Sequence, residues 1–229
     1  RISMNKDYRY EIKFALDRAN LSKAYFWLNT QTFMKKTFPN RRVNSLYFDD
    51  INFSSVKDNL IGISEREKLR LRWYGDNTSD SKVVFEIKRR HGRLGSKKSY
   101  KMDSISDFLL DLSLYDIAKK SIEDLRAQNI VFNRDVNPVL QVGYDREYYE
   151  DNEGIRMTID HAITFTRPMN NQRLGSNLET HYPLTILEIK FLPDLKPKAL
   201  SIIKSLDLTP KRHSKYLAGM AALGLATYI

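Results

Sequence analysis

The chain has 229 residues, with 38 Lys or Arg against 28 Asp or Glu, and its net charge of +10 points to a polyanionic partner: nucleic acid, a phospholipid surface, a nucleotide or polyphosphate. Cysteine is absent, which excludes disulfides, thiolate nucleophiles and cysteine-ligated zinc or iron–sulfur centres, and none of the four histidines stands in a zinc-binding pattern. No run approaches the roughly 20 apolar residues of a membrane span.

In chain order, a strand is expected over Tyr8–Leu16, and Asp17 caps a helix over Leu21–Lys36. A strand over Arg42–Phe48 and a helix over Phe53–Leu60, capped by Asn52, come next. Strands over Lys68–Tyr74, Lys82–Arg89 and Lys97–Met102 lead to helices over Ile105–Leu110 and Leu114–Asn129. The second half alternates strands at Val139–Tyr149, Ile155–Phe165 and Pro183–Leu192 with helices at Lys196–Leu206 and Lys215–Thr227. The apolar tail "YLAGMAALGLATYI" is 14 residues and reads as a buried helix. No Pro/Gly/Ser-rich linker divides the chain, so residues 1–229 read as a single α+β domain. The opening "RISM" makes Met4 a candidate natural start, or the chain a piece of something longer.

The strands share a pattern. In "EREKLRLRWYG", alternation puts Arg66, Lys68, Arg70 and Arg72 on one face and Leu69, Leu71 and Trp73 on the other. Three strands carry Glu-Ile-Lys, at Glu11–Lys13, Glu86–Lys88 and Glu188–Lys190, each with its apolar neighbours on the opposite face. A sheet with one solvated charged face is the ordinary explanation for any single strand. Its recurrence as Arg, Lys and Glu over several strands favours a barrel of eight antiparallel strands, with a polar interior and helices outside.

A cationic lining needs a dense anion. Arg70, Arg72, Lys88, Arg146, Arg156 and Lys190, with Lys13 and Lys97 or Lys98, supply about eight cations for a triphosphate or polyphosphate chain. Glu188 contradicts that lining unless Mg²⁺ or Mn²⁺ sits between it and the phosphates, or it orients neighbouring lysines. Glu11 and Glu86 read as spacers between cations. The segment "GRLGSKKSY" lacks Walker spacing and reads as a hairpin that returns Lys97 and Lys98 toward the lining. "PKRHSKY" puts Lys211, Arg212 and Lys215 at the start of the last helix, where free N–H groups favour anions.

The stretches "YRYEIKF", "NSLYFDD", "KLRLRWYG", "FEIKRR", "VGYDREYY", "IRMTID", "LEIKF" and "RHSKY" occur in an order that resembles the polyphosphate-polymerase domain of vacuolar transporter chaperone (VTC) complexes. That family belongs to the triphosphate tunnel metalloenzymes, and the resemblance covers about Tyr8 to Tyr216. It implies an eight-stranded tunnel barrel that transfers the ATP γ-phosphate to a growing polyphosphate chain with Mn²⁺ or Mg²⁺. It also implies tunnel cations Lys13, Arg70, Arg72, Lys88, Arg146 and Arg156, a metal ligand Glu188 with Lys190 beside it, and basic residues Arg212 and Lys215 at the terminal helix. Arg70, Arg72, Lys88, Lys190 and Glu188 would carry the catalysis, and Lys97 and Lys98 would add phosphate contacts.

The chain departs from the adenylate cyclase and thiamine triphosphatase branch of that superfamily, which carries E-x-E-x-K on its first strand. Here Arg9 stands at the first acidic position, which weakens a second metal site. ATP and polyphosphate are the expected partners on the cytoplasmic side, and a membrane anchor or membrane partner outside this stretch stays open. The alternatives are a non-catalytic tunnel for polyphosphate, nucleotide or inositol phosphate, and a triphosphatase. Single-stranded RNA binding is disfavoured, because Trp73 and Phe85 fall on the face opposite the basic residues.

Overall fold

The computed structural model describes residues 9–75, 82–91, 94–107 and 109–226. Its elements are β1 (Tyr10–Leu16), α1 (Arg18–Gln31), β2 (Lys35–Asp49), α2 (Ser54–Leu60), β3 (Glu65–Tyr74), β4 (Val84–His91) and β5 (Leu94–Lys101). They continue as α3 (Leu114–Ala127), β6 (Asn137–Glu150), β7 (Arg156–Thr166), β8 (Thr180–His181), β9 (Thr185–Phe191), α4 (Lys196–Leu206) and α5 (Lys215–Ala222). The fold is α+β, as expected, with an antiparallel sheet. Tyr8, Gly92 and Arg93, which fall in the expected first strand and hairpin, lie outside the described residues.

Several boundaries follow local chemistry. Asp17 caps α1 as expected, its carboxylate accepting from Asn20 N–H at 2.8 Å. That helix stops at Gln31 rather than Lys36, because Thr32 turns extended and its hydroxyl bonds back to Leu28 O at 2.7 Å. Phe33 and Met34 imitate helical spacing, but Pro39 disfavours helix just ahead of it and the chain runs extended into β2. The cap of α2 is not Asn52: Asp50 Oδ1 accepts from Asn52 and Ser54 N–H at 2.9 and 3.1 Å, with Phe53 in the left-handed region. Around Ile105 the described residues form turns instead of a helix. There Ser106 Oγ donates to Met102 O and Ser104 to Asp124, so short polar side chains compete with helical bonding.

The chain divides into two compact units: Arg1–Arg41, Tyr144–Ile163 and Tyr182–His213 form the first, and the remaining segments the second. In the first, β9 pairs with β1 on one side and β7 on the other. The apolar face, including Phe14, Met157, Leu187, Ile189 and Phe191, packs with Trp27 and Leu28 of α1 and Ile203 and Leu206 of α4. Trp27 Nε1 donates to Ser205 Oγ at 2.8 Å, joining the two helices. In the second unit β2, β3, β4 and β5 pair in sequence. Leu69, Leu71 and Trp73 are buried there with Phe85, Ile87 and the α3 residues Leu114, Ile117 and Leu125. Burying each such side chain contributes about 1.5–3 kcal/mol.

Among the described residues the strand order is β1-β9-β7-β6-β2-β3-β4-β5, with β8 on β7. Among the described residues nine strands stand where eight were expected, and no pairing closes their order into a barrel, so the closed barrel expected from the sequence is not borne out. The period-2 alternation fixed which strand face is polar. Closure depends on strand tilt and register shear, which that pattern does not encode. No described helix is long and apolar enough to cross a membrane.

Candidate functional site

In the second unit a charged face is built from β3, β4 and β5. Register sets Arg66 opposite Arg90, Lys68 opposite Lys88, Arg70 opposite Glu86, and Lys88 opposite Lys97. Like charges directly opposite destabilise a sheet, and the carboxylate among them is the buried Glu86, only 4% exposed. Glu86 accepts from Arg70 Nε at 2.6 Å and Lys97 Nζ at 3.0 Å, with Arg72 Nη1 at 3.6 Å. Burial pushes its carboxyl up, but Arg70, Arg72 and Lys97 outweigh that and hold it at about 2.

Residues of β2 support the same face. Tyr47 OH accepts from Arg70 Nη1 at 3.2 Å, and the Tyr47 ring lies under the guanidinium. Ser45 Oγ accepts from Arg72 Nε at 3.4 Å. Lys68 Nζ donates to Ser214 Oγ, the cap of α5, at 3.0 Å. Arg72 is buried, whereas Lys68 and Arg70 are half-buried.

In the first unit a second cluster centres on Glu188. Its two oxygens meet Lys190 Nζ at 2.6 Å and Lys13 Nζ at 3.2 Å, and Lys13 also reaches Glu11 Oε1 at 3.0 Å. Burial raises the Glu188 carboxyl; the Glu11 hydrogen bond and the Lys13, Lys190 and Arg146 charges prevail and hold it well below the usual range. Arg146 forms a two-pronged pair with buried Asp160 at 2.6 and 2.7 Å and stacks on Tyr144. Burial lowers the Arg146 guanidinium, while Tyr144 and Asp160 raise it to a net value well above its ordinary one.

Lys13, Lys190 and Arg146 face the carboxylates of Glu11, Glu188 and Asp160. Glu86 is flanked by Arg70, Arg72 and Lys97, with Lys88 on the same face.

The other expected residues fall as follows. Lys88 sits on the Glu86 face between Lys68 and Lys97. Lys98 does not: it is opposite Ile87 and therefore on the other face from Lys97, as strand alternation requires. Arg156 is on the Glu188 side of β7 but exposed and paired with Glu150 at 3.1 Å. The segment carrying Arg212 runs beside β1, where Lys211 N–H donates to Lys13 O at 2.8 Å and Lys13 Nζ to His213 O at 3.3 Å. Lys215 opens α5.

Sequence reading did not single out Tyr47, Ser45 or Asp160 as members of these clusters. Tyr47 and Ser45 carried one usable signal, their shared parity on β2. Nothing in the sequence marks Asp160 as the partner of Arg146.

Glu11 and Glu188 supply hard oxygen donors within hydrogen-bonding reach of one another. That pair suits Mg²⁺ or Mn²⁺, which take one or two carboxylates and complete their shell with phosphate oxygens and water. Among the described residues no group of three or more His, Cys, Asp or Glu could hold a metal by itself. The donor set fits only a metal shared with a phosphate ligand.

Two solved structures share this class of antiparallel α+β fold. PH1819 protein from Pyrococcus horikoshii OT3 is 17% identical, with 92% of this chain and 97% of that one covered and a TM-score of 0.52. A proposed adenylate cyclase from Vibrio parahaemolyticus is 11% identical, with coverage of 96% and 99% and a TM-score of 0.52. The VTC domain model matches residues 8–224, and the chain belongs to that family. Subunit 2 of the vacuolar transporter chaperone complex of Saccharomyces cerevisiae is 23% identical over 76% of this chain. The match spans 28% of that relative's length.

Proposed function

We propose that this domain binds the phosphates of ATP and polyphosphate and extends polyphosphate by transfer of the ATP γ-phosphate. The observation that carries the reading is the gathering of Arg70, Arg72, Lys88 and Lys97 on one strand face around Glu86. Such a face is stabilised by a ligand with many closely spaced anionic oxygens. Membership of the VTC domain family supports the same chemistry.

In the proposed reaction a terminal phosphate oxygen of the chain attacks the γ-phosphorus. A new P–O bond forms, the bond to the β,γ-bridging oxygen breaks, and ADP leaves. The attacking oxygen is already ionised near neutral pH, so no general base is required. The chain's own residues align the phosphates and offset developing charge. Arg70, held by Glu86 and Tyr47, presents a pre-oriented guanidinium, and Arg72 is fixed by Ser45. Lys88, Lys97, Lys13 and Lys190 add point charges, with Arg146, Arg156, Arg212 and Lys215 in supporting phosphate contacts. Glu188, with Glu11, would hold a divalent ion, which supplies charge neutralisation at phosphate oxygens. ATP as donor sets the cytoplasmic side, including the cytoplasmic face of a membrane, as the place of work.

Incubation with ATP and Mn²⁺, resolved on a polyphosphate gel, tests the reading. ADP release matched by phosphate in an acid-insoluble chain is the expected result. Stoichiometric orthophosphate with no chain would make the protein a triphosphatase. Tripolyphosphate binding without either product would make it a non-catalytic binder. Arg9 precedes β1 on the Glu11–Lys13 face, and Arg9→Glu should shift product toward orthophosphate by adding a carboxylate beside Glu11.

A further inference from the structure

The hydrogen-bonding direction of β5 is fixed by its neighbour. Met102 N–H donates to Val83 O at 3.1 Å, one step beyond the Val84–Lys101 pair. In an antiparallel ladder the bonded pairs alternate, so Tyr100, Lys98 and Ser96 bond to β4. Lys97, Ser99 and Lys101 therefore turn their N–H and C=O groups away from it. One contact verifies the assignment: Gln128 Nε2 donates to Lys101 O from that outer side at 3.3 Å. Among the described residues β5 pairs with β4 alone and ends the strand order.

A groove runs beside this edge on the face opposite Glu86. It is lined by Ile87, Arg89, Ser96, Lys98, Tyr100 and Ile130 and has a volume of about 60 Å³. Apolar groups form one part of it and the cations Arg89 and Lys98 the other. Lys98 is exposed, as are Ser96, Lys97, Ser99 and Lys101 along the strand.

We propose that β5 is a docking edge for an acidic extended segment of another protein, which adds as a strand bonded to the outward groups of Lys97 and Ser99. Its alternate side chains would place apolar groups against Tyr100 and Ile130 on one face, and carboxylates against Lys97 and Lys101 on the other. An open edge offers donors and acceptors in alternation, and a peptide backbone matches both. Polyphosphate carries acceptors only, so it cannot satisfy the outward carbonyls. A second copy of this chain is disfavoured, because it would bring another +10 charge and another lysine strand to the same edge. The charges that block self-pairing are the ones that select an acidic strand.

The probe is a fluorescent peptide alternating glutamate with valine, followed by anisotropy at physiological ionic strength and by amide hydrogen exchange. Binding should slow exchange at the Lys97 and Ser99 amides. Ser99→Pro deletes an outward N–H while sparing the ladder to β4, and should weaken peptide binding about tenfold or more. Lys101→Glu should weaken it as well. Peptide affinity unchanged in Ser99→Pro but lost in Lys101→Glu would reduce the contact to charge attraction and overturn the proposal. Full displacement by tripolyphosphate, without protection at Lys97 and Ser99, would reassign the edge to inorganic polyanions. If Ser99→Pro does not fold, the exchange result on the unmodified protein decides: absence of protection rejects strand addition.

Discussion

Glu86 shows how one residue sets the character of a strand face. Its carboxyl is held at about 2 against an ordinary value of 4.5. A depressed carboxyl contributes stability that is fully present above the unfolded value and lost as pH falls toward the folded one. For a group this buried the shift corresponds to on the order of 3 kcal/mol. Thermal melts between pH 5 and pH 2 should show that loss, and Glu86→Gln should flatten it while lowering stability near neutral pH. A melting profile in that window identical for both proteins would remove Glu86 from its central place. Glu188 calls for a different experiment. Glu188→Gln should abolish turnover with ATP and Mn²⁺ yet leave tripolyphosphate affinity intact or raised, since it takes a negative charge from an anion site. Equal loss of binding and turnover would mark Glu188 as a structural partner of Lys13 and Lys190.

At the scale of elements, α5 is held in the second unit by an apolar contact and a polar one. Tyr216 stacks on Tyr47 at 4.8 Å and donates to the buried Asp49 at 2.7 Å. Asp49 also accepts from the N–H groups of Ser55 and Val56 at the start of α2, so one carboxylate ties β2, α2 and α5. Gly219 lets α5 approach closely: a Cβ there would stand 2.6 Å from Leu140 Cδ2 and 2.7 Å from Phe165 Cδ1. Alanine would gain about 1 kcal/mol of helix propensity. Leu140 and Phe165 are fully buried and have little room to yield, so overpacking costing about 1–3 kcal/mol should prevail. Chemical denaturation of Gly219→Ala should therefore show a net loss. A stabilised variant would mean that α5 does not pack tightly at Gly219.

For the whole molecule the governing quantity is the charge of +10, much of it gathered on strand faces. A ligand that binds only the folded state at about one hundred times its Kd adds about 2.7 kcal/mol, or roughly 5–10 °C in Tm for a chain of this size. Tripolyphosphate should reach that range at low salt, and the increment should shrink as ionic strength rises. An unchanged Tm at millimolar tripolyphosphate would end the phosphate-site reading. Orthophosphate at equal charge concentration should do less, because it cannot bridge cations on neighbouring strands.

The sequence by itself determined what alternation and end signals encode. Arg70 and Arg72 share a face because side chains alternate along a strand, and the same rule buried Leu69 and Leu71. Asp17 marked the start of α1 because a short carboxylate satisfies a free N–H. The ordered motifs were enough to identify the VTC family. Helix ends were less legible: Phe33 and Met34 extended an apparent helical spacing that Thr32 and Pro39 broke. Lys97 and Lys98 looked equivalent until the register with Lys88 and Ile87 separated them. Only the tertiary structure paired Arg146 with Asp160, brought Glu11 to Glu188 across β1 and β9, and left β5 at an edge. Those outcomes depend on which strands become neighbours and in what register. Contacts between residues distant in the chain set that choice, and the periodicity of a single strand carries no record of it.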